Sequence, residues 1–180
     1  HRVLLHSSLL QSRATRISAR YKAGVPHGFL LDGQALKMSK SLGKVVSPQK
    51  VMDQNGADIL RLWVVSSDYY NDLRIGPEII KRTTDNYRRF RNTLRYLLGA
   101  LDGYSAGEAI AYSAMPDLEK WVLDRLATID VAIREMTEVY DFHGIFSELH
   151  QFCNSDLSAF YFEIRKDTLY CDDKSSTVRR

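Results

Sequence analysis

From Pro77 to the end of the chain the apolar residues keep helical spacing, and this run limits the possible folds more than any other feature of the sequence. Ile79, Thr83, Tyr87, Phe90, Leu94, Leu97 and Leu101 recur three and four positions apart, which puts them on one side of a helix. Gly76 and Pro77 mark its start, because a proline at the first helical position gives up an N–H that would have no partner there, and Gly103 marks its end. A second stripe follows Pro116 and runs through Leu118, Val122, Leu126, Ile129, Ile133, Met136 and Tyr140. A third is looser, with Phe146, Leu149, Phe152, Leu157, Phe160 and Ile164, and Asn154-Ser155-Asp156 is expected to break it in two. One-sided helices bury their stripes against one another, so residues 76–180 are read as an incomplete antiparallel helical bundle. Ser105 to Ser113 is expected to be its floppy linker.

Upstream the texture changes. Residues 1–46 mix a short apolar run, Val3 to Leu5, with a polar helix-like run, Ser7 to Ser18, and a strand-like Gly28 to Leu31 that turns at Asp32-Gly33. That alternation reads as a partial α/β remnant, whose unpaired apolar edges would need cover. Between them, residues 47–75 form a short helical junction: Ser47 as N-cap before Pro48, then Gly56 as punctuation before Ala57 to Val64. The expected class is therefore mainly α, with α/β at the N-terminal end.

With 180 residues, the chain can bury one core, or one small domain and a piece of another. Its net charge of +3 is compatible with a polyanionic partner. The two cysteines, Cys153 and Cys171, lie at no metal-ligand spacing; they are read as buried or incidental thiols in a reduced, cytosolic setting, with no metal site. Trp63 and Trp121 are read as core, and His6, His143 and His150 as structural or surface residues. No apolar run approaches the length of about 18 residues that a membrane span needs. The first residue is His1 rather than methionine, so the start is expected to have been cut from something longer.

Lys37-Met38-Ser39-Lys40-Ser41 places two ammonium groups and two hydroxyls in one short span flanked by Gly33 and Gly43. Such a loop suits a polyphosphate, since lysines on flexible stems follow charge as it develops on a departing pyrophosphate and serine hydroxyls donate at close range. Flanking glycines would let it close over a ligand. Composition alone also fits a solvated surface loop.

The spelling narrows the choice. Lys37 to Ser41 is identical to the signature loop of class I aminoacyl-tRNA synthetases, and His27-Gly28-Phe29 and Leu42-Gly43 resemble its neighbours in the isoleucyl, valyl and leucyl group. Gly56 to Val64, Asp72 to Ile79, and Asp156 to Phe162 running into Ile164 to Asp167 resemble the bacterial isoleucyl branch in particular. The resemblance implies that residues 1–46 are the end of a Rossmann-like catalytic domain, 47–75 a stem-contact-like junction, and 76–180 part of an anticodon-binding helical bundle. It further implies ATP-dependent activation of isoleucine to an adenylate, with Mg2+ as counter-ion, and transfer to the isoleucine tRNA in the cytoplasm. Lys40 would contact the ATP phosphates, Lys37 would assist, and Met38, Ser39 and Ser41 would shape the loop. His27, Gly28 and Phe29 would line the adenine side, largely through backbone. A valyl or leucyl member, or a tRNA-binding module without catalysis, stays open.

Some positions depart from the family. Val3-Leu4-Leu5 stands before His6-Ser7-Ser8 where Gly-Trp-Phe is usual, so Leu4 replaces the aromatic expected against the amino-acid side chain. Pro26 replaces a usual threonine and Lys44 a usual asparagine. The family's His-Ile-Gly-His motif is absent, so an upstream catalytic half is a missing partner and this polypeptide alone is expected to lack aminoacylation activity.

The helix after Pro77 also carries Lys81, Arg82, Arg88, Arg89, Arg91 and Arg95. Their mean direction lies roughly 160° from the apolar stripe, so they are expected to face outward. Basic residues gathered on one face fit phosphate contacts, and the resemblance assigns Arg82, Arg88, Arg89, Arg91 and Arg95 to tRNA. A plain solvated face is the competing reading.

Overall fold

The computed structural model describes residues 2–38, 45–173, 176 and 178–179. The chain divides into two compact units, one made of residues up to Val45 together with Asp68–Ile75, the other of Val46–Ser67 together with Gly76–Arg180.

In the first unit, helix α1 spans Arg2–Arg16, longer than the polar run that signalled it. Its apolar side chains find little cover: Val3, Leu4 and Leu10 are 80%, 75% and 64% exposed. Ser12 is buried, and its hydroxyl donates to the Ser18 carbonyl at 2.8 Å. Strand β1, Leu30–Leu31, pairs in parallel with β2, Leu73–Arg74, with Leu30 opposite Leu73. The pairing is extended at both ends, by Gly28 N–H donating to the Tyr69 carbonyl at 2.9 Å and Ile75 N–H to the Leu31 carbonyl at 3.0 Å. Ile75 is buried here, so the ribbon has one apolar anchor.

Gly28 is required by proximity. A Cβ at that position would fall 2.1 Å from the Asn71 carbonyl oxygen, a backbone atom that cannot swing aside. Gly28→Ala should therefore push the two segments apart, at about 1–3 kcal/mol. The expected readout is faster amide exchange at Leu73 and Ile75, by about tenfold or more. Unchanged protection at both amides would contradict this.

In the second unit, α2 is Pro48–Asn55 and α3 is Ala57–Ser66. Ser47 occupies the N-cap position in an extended conformation, although its side chain makes no capping bond. Gly56, at φ 90°, closes α2 through its N–H to the Met52 carbonyl and opens α3 in a conformation that disfavours any residue with a Cβ. Val51, Ile59 and Trp63 are buried. Helix α4, Pro77–Ala100, begins on its proline as the sequence indicated.

The buried side of α4 swings along its length. It starts at Ile80 and Thr83, against α3, and continues through Phe90, which lies edge-on to Phe146 and His150 at 5.9 and 6.0 Å. It ends at Thr93 and Tyr96, against a later segment. Because the partner changes, Leu94 and Leu101 do not join the core as their spacing indicated; they are 60% and 54% exposed. The expected floppy linker is ordered into two short 3-10 turns, Ala106–Glu108 under a Ser105/Glu108 capping box and Tyr112–Ala114, with the Tyr112 hydroxyl donating to Asp124 at 2.8 Å.

Helix α5, Asp117–Glu138, centres on Ile129, which is 1% exposed, whereas Leu126 and Tyr140 of the expected stripe are 47% and 43% exposed. Helix α6, Phe142–Gln151, is capped by Asp141, whose carboxylate accepts from Gly144 N–H at 2.9 Å. The expected break at Asn154-Ser155-Asp156 does not occur. The backbone instead widens into a π-helix over Phe152–Tyr161 and then narrows into α7, Phe162–Cys171. A helix with i to i+5 hydrogen bonds takes more than four residues per turn, so positions five apart stay nearer one face than in an α-helix, and Phe152, Leu157 and Phe162 are all buried with Ile129. Phe160 and Ile164, assigned inward at helical spacing, are 45% and 49% exposed. Trp121, read as core, packs edge-on against Phe160 at 5.3 Å as part of a surface pair.

Polar ties cross these helices. Arg125 on α5 bonds Asp156 of the π-helix at 3.0 Å and lies 3.7 Å from Glu148 of α6. Arg165 on α7 pairs with Glu119 on α5, beside Tyr161, whose hydroxyl is pushed upward in pKa by burial and then by the Glu119 charge.

Candidate functional site

Within the first unit a turn organised by Asp32 leads from β1 to Lys37. The Asp32 carboxylate accepts from Gln34 N–H and Leu36 N–H, both at 2.9 Å, and its own N–H donates to the Leu36 carbonyl at 2.8 Å. The left-handed residue of this turn is Ala35, at φ 63°, and not Gly33. Lys37 forms an isolated antiparallel bridge with Leu31 and is exposed, so its backbone is tethered to β1 while its ammonium stays in solvent; Met38 is half-buried. Ser39, Lys40 and Ser41, like Leu42, Gly43 and Lys44, lie outside the described residues.

His27, Gly28 and Phe29 lie together at the entry to β1. His27 Nδ1 is 2.7 Å from the Gly28 carbonyl oxygen, and Phe29 N–H donates to the Asp72 carboxylate at 2.7 Å, while Phe29 as a whole is 68% exposed. The sequence does not reveal the Asp72 bond, although both stretches carry the family resemblance; pairing across forty-odd residues leaves no local signal. Leu4 sits exposed on α1.

In the second unit, Lys81, Arg82, Arg88, Arg89, Arg91 and Arg95 are all exposed on α4, as their spacing indicated. Arg88 is engaged by Asp85 at 3.1 Å, an exposed pair of small energetic weight. Arg82, Arg89, Arg91 and Arg95 form no ion pair among the described residues. Where the buried side of α4 swings, Arg89 reaches the edge of a hollow facing the π-helix, with Asn92, Asn154 and Lys166, none of which sequence reasoning marks as a site residue. Lys166 falls in a stretch that carries the family resemblance, which is the one signal the sequence offers for it.

His143 and His150 make contacts within the second unit. His143 Nδ1 is 2.8 Å from the Ser66 carbonyl, and His150 stacks on Phe146 at 5.6 Å; burial, then the nearby Arg89 charge, holds His150 below the usual histidine range. Cys153 is half-buried, its thiol pushed upward by burial, whereas Cys171 is exposed. Among the described residues no three His, Cys, Asp or Glu side chains gather to hold a metal ion, and no helix is long and apolar enough to cross a membrane.

Two family models match. Residues 1–76 fit the tRNA synthetases class I (I, L, M and V), and residues 119–180 fit the anticodon-binding domain of tRNA ligase. Over all 180 residues the chain is 54% identical to the isoleucine–tRNA ligase of Agrobacterium fabrum and 52% identical to that of Gluconobacter oxydans. The chain belongs to the class I tRNA synthetases. This synthetase chain spans 18% and 19% of the length of those two relatives. In three dimensions it resembles the LeuRS–tRNA–LeuAMS ternary complex of Agrobacterium radiobacter K84, with a TM-score of 0.71 over 91% of the chain and 21% of that one; at 15% identity this likeness concerns the fold. Helix α4, which carries the arginine row, lies between the two family segments and is covered by the end-to-end similarity to the isoleucine–tRNA ligases of the synthetase family.

Proposed function

We propose that the chain is the part of an isoleucine–tRNA ligase that closes on the ATP phosphates and begins the tRNA-binding helices. The observation that carries this reading is the Lys37 to Ser41 loop, identical to the class I signature, within a chain 54% identical from end to end to a protein named for isoleucine. In this reading the three segments are the end of a Rossmann-like catalytic domain, 1–46, a stem-contact-like junction, 47–75, and part of the anticodon-binding bundle, 76–180.

Lys40, with Lys37, neutralises the pyrophosphate as isoleucine attacks the α-phosphorus of ATP, while Ser39 and Ser41 donate hydrogen bonds and Met38 anchors the loop. His27, Gly28 and Phe29 offer backbone to the adenine, at a place where the close approach to Asn71 and the Asp72 bond hold that backbone. Mg2+ would come with the ATP phosphates, in keeping with its preference for phosphate and water oxygens. A valyl or leucyl assignment is less favoured, because the similar ligases span the whole chain and carry the isoleucine name. Joining the chain to its complementary upstream half and assaying pyrophosphate exchange with isoleucine, valine and leucine tests the assignment. Preferred exchange with valine or leucine would remove it.

The exposed row on α4 supplies the tRNA contact. Replacing Arg88, Arg89 and Arg91 with Glu should weaken tRNA binding more than tenfold and lower the salt slope by about 1 for each phosphate left without its counter-charge. Fluorescence anisotropy across a salt series gives both numbers, and unchanged binding at low salt would remove this role.

A further inference from the structure

Between α4, the π-helix and α7 lies a hollow of about 370 Å3 lined by Arg89, Asn92, Tyr96, Asn154, Ser158 and Lys166 among others. No carboxylate lines it among the described residues. Its origin is the widened helix: with Phe152, Leu157 and Phe162 taken inward at intervals of five, Asn154 and Ser158 are left on the side that meets α4. The floor is aromatic, Tyr96 stacked on Phe162 with ring centres 4.2 Å apart. The Tyr96 hydroxyl is buried without a hydrogen-bond partner among the described residues.

The polar groups around this floor are unequal in freedom. Ser158 donates to the Cys153 carbonyl at 2.6 Å, and the Asn154 amide nitrogen lies 2.9–3.1 Å from the His150 ring nitrogens, so both serve the local fold. Lys166 shares its ammonium with exposed Glu163. Arg89 and Asn92 have no such partners among the described residues, which leaves a guanidinium and a primary amide, one turn apart on α4, facing an ammonium from α7. Beyond Tyr96 a second hollow of about 460 Å3 shares Asn92 and Tyr96 and adds Arg95 and Arg179 against a single carboxylate, Asp102. Cations thus recur along one trough, which suits a polymer of phosphates better than an isolated carboxylate.

We propose that the hollow between α4 and the π-helix seats a phosphodiester of an RNA backbone, with Arg89 and Lys166 as counter-charges and the Asn92 amide as donor. This rests on the reading of α4 as a tRNA-binding helix and adds the place where the strand is gripped. Phosphate contacts of this kind fix position on a nucleic acid and carry no base preference.

The test uses the full 180-residue chain and unmodified tRNA. Lys166→Glu combined with Asn92→Asp should weaken binding about tenfold and lower the salt slope by about 1, with helical circular dichroism unchanged. In the parent chain the Asn92 side-chain amide signals should shift on adding tRNA and hold when inorganic phosphate is added at equal phosphate concentration. Retained affinity and slope in the double variant, alongside a loss in Arg82→Glu with Arg91→Glu, would overturn the hollow while keeping the tRNA reading. Displacement by inorganic phosphate at equal concentration would also overturn it, as a free-anion site. Absence of any tRNA binding by the parent chain would overturn both.

Discussion

In a complete ligase carrying this segment, Lys40→Ala should lower isoleucine-dependent pyrophosphate exchange by about 100- to 1000-fold, the range set by removing one preorganised donor from a charge-stabilising site, or about 2.7–4 kcal/mol. The effect is one of timing. Charge on the leaving pyrophosphate is greatest in the transition state, so an ammonium placed to meet it lowers the barrier more than it tightens ATP binding. The loss should therefore fall mainly on kcat, with the KM for ATP changing less. Lys37→Ala should cost less, because its backbone is tied to Leu31 by the bridge and its ammonium starts from the loop's base. Steady-state exchange assays of both variants give the comparison. A Lys40→Ala enzyme within tenfold of the parent would mean that this ammonium is not where the phosphates leave.

What the sequence makes legible follows from how local the cause is. Pro48, Gly56 and Pro77 act through their own backbone, and each stands at the helix boundary that its chemistry indicated. The arginine row is exposed on α4 because charge avoids burial whatever the partner helix does. The apolar stripes are legible only where one neighbour persists. Thr83 keeps its place, but Leu94 loses the inward position to Thr93 once α4 meets the π-helix instead of α3. No spacing rule contains that exchange of partner. The candidate site divides in the same way. The lysine loop can be recognised by its letters, whereas the Gly28 approach to Asn71 and the hollow of Asn92, Asn154 and Lys166 are made by segments distant in sequence.

The π-helix turns this difference into a measurable contrast between two positions. Phe162 is 5% exposed, stacks on Tyr96 at 4.2 Å and joins Ile129, Phe152 and Leu157 in one cluster, so Phe162→Ala should destabilise the second unit by about 3–5 kcal/mol. Leu94, which helical spacing alone assigns to the core, is 60% exposed, and Leu94→Ala should change stability by no more than about 0.5 kcal/mol. Urea titration monitored by helical circular dichroism separates the two, provided the slope of each transition matches that of the parent. If the segment were an ordinary α-helix, intervals of five would scatter Phe152, Leu157 and Phe162 around the axis, since each step of five turns about 140° beyond a full circle. Phe162 could not then share a buried side with both of the others, and its truncation would cost no more than that of a half-exposed residue. A small loss at Phe162 with a large one at Leu94 would therefore restore the 3.6-residue register and remove the widened helix, together with the hollow beside it.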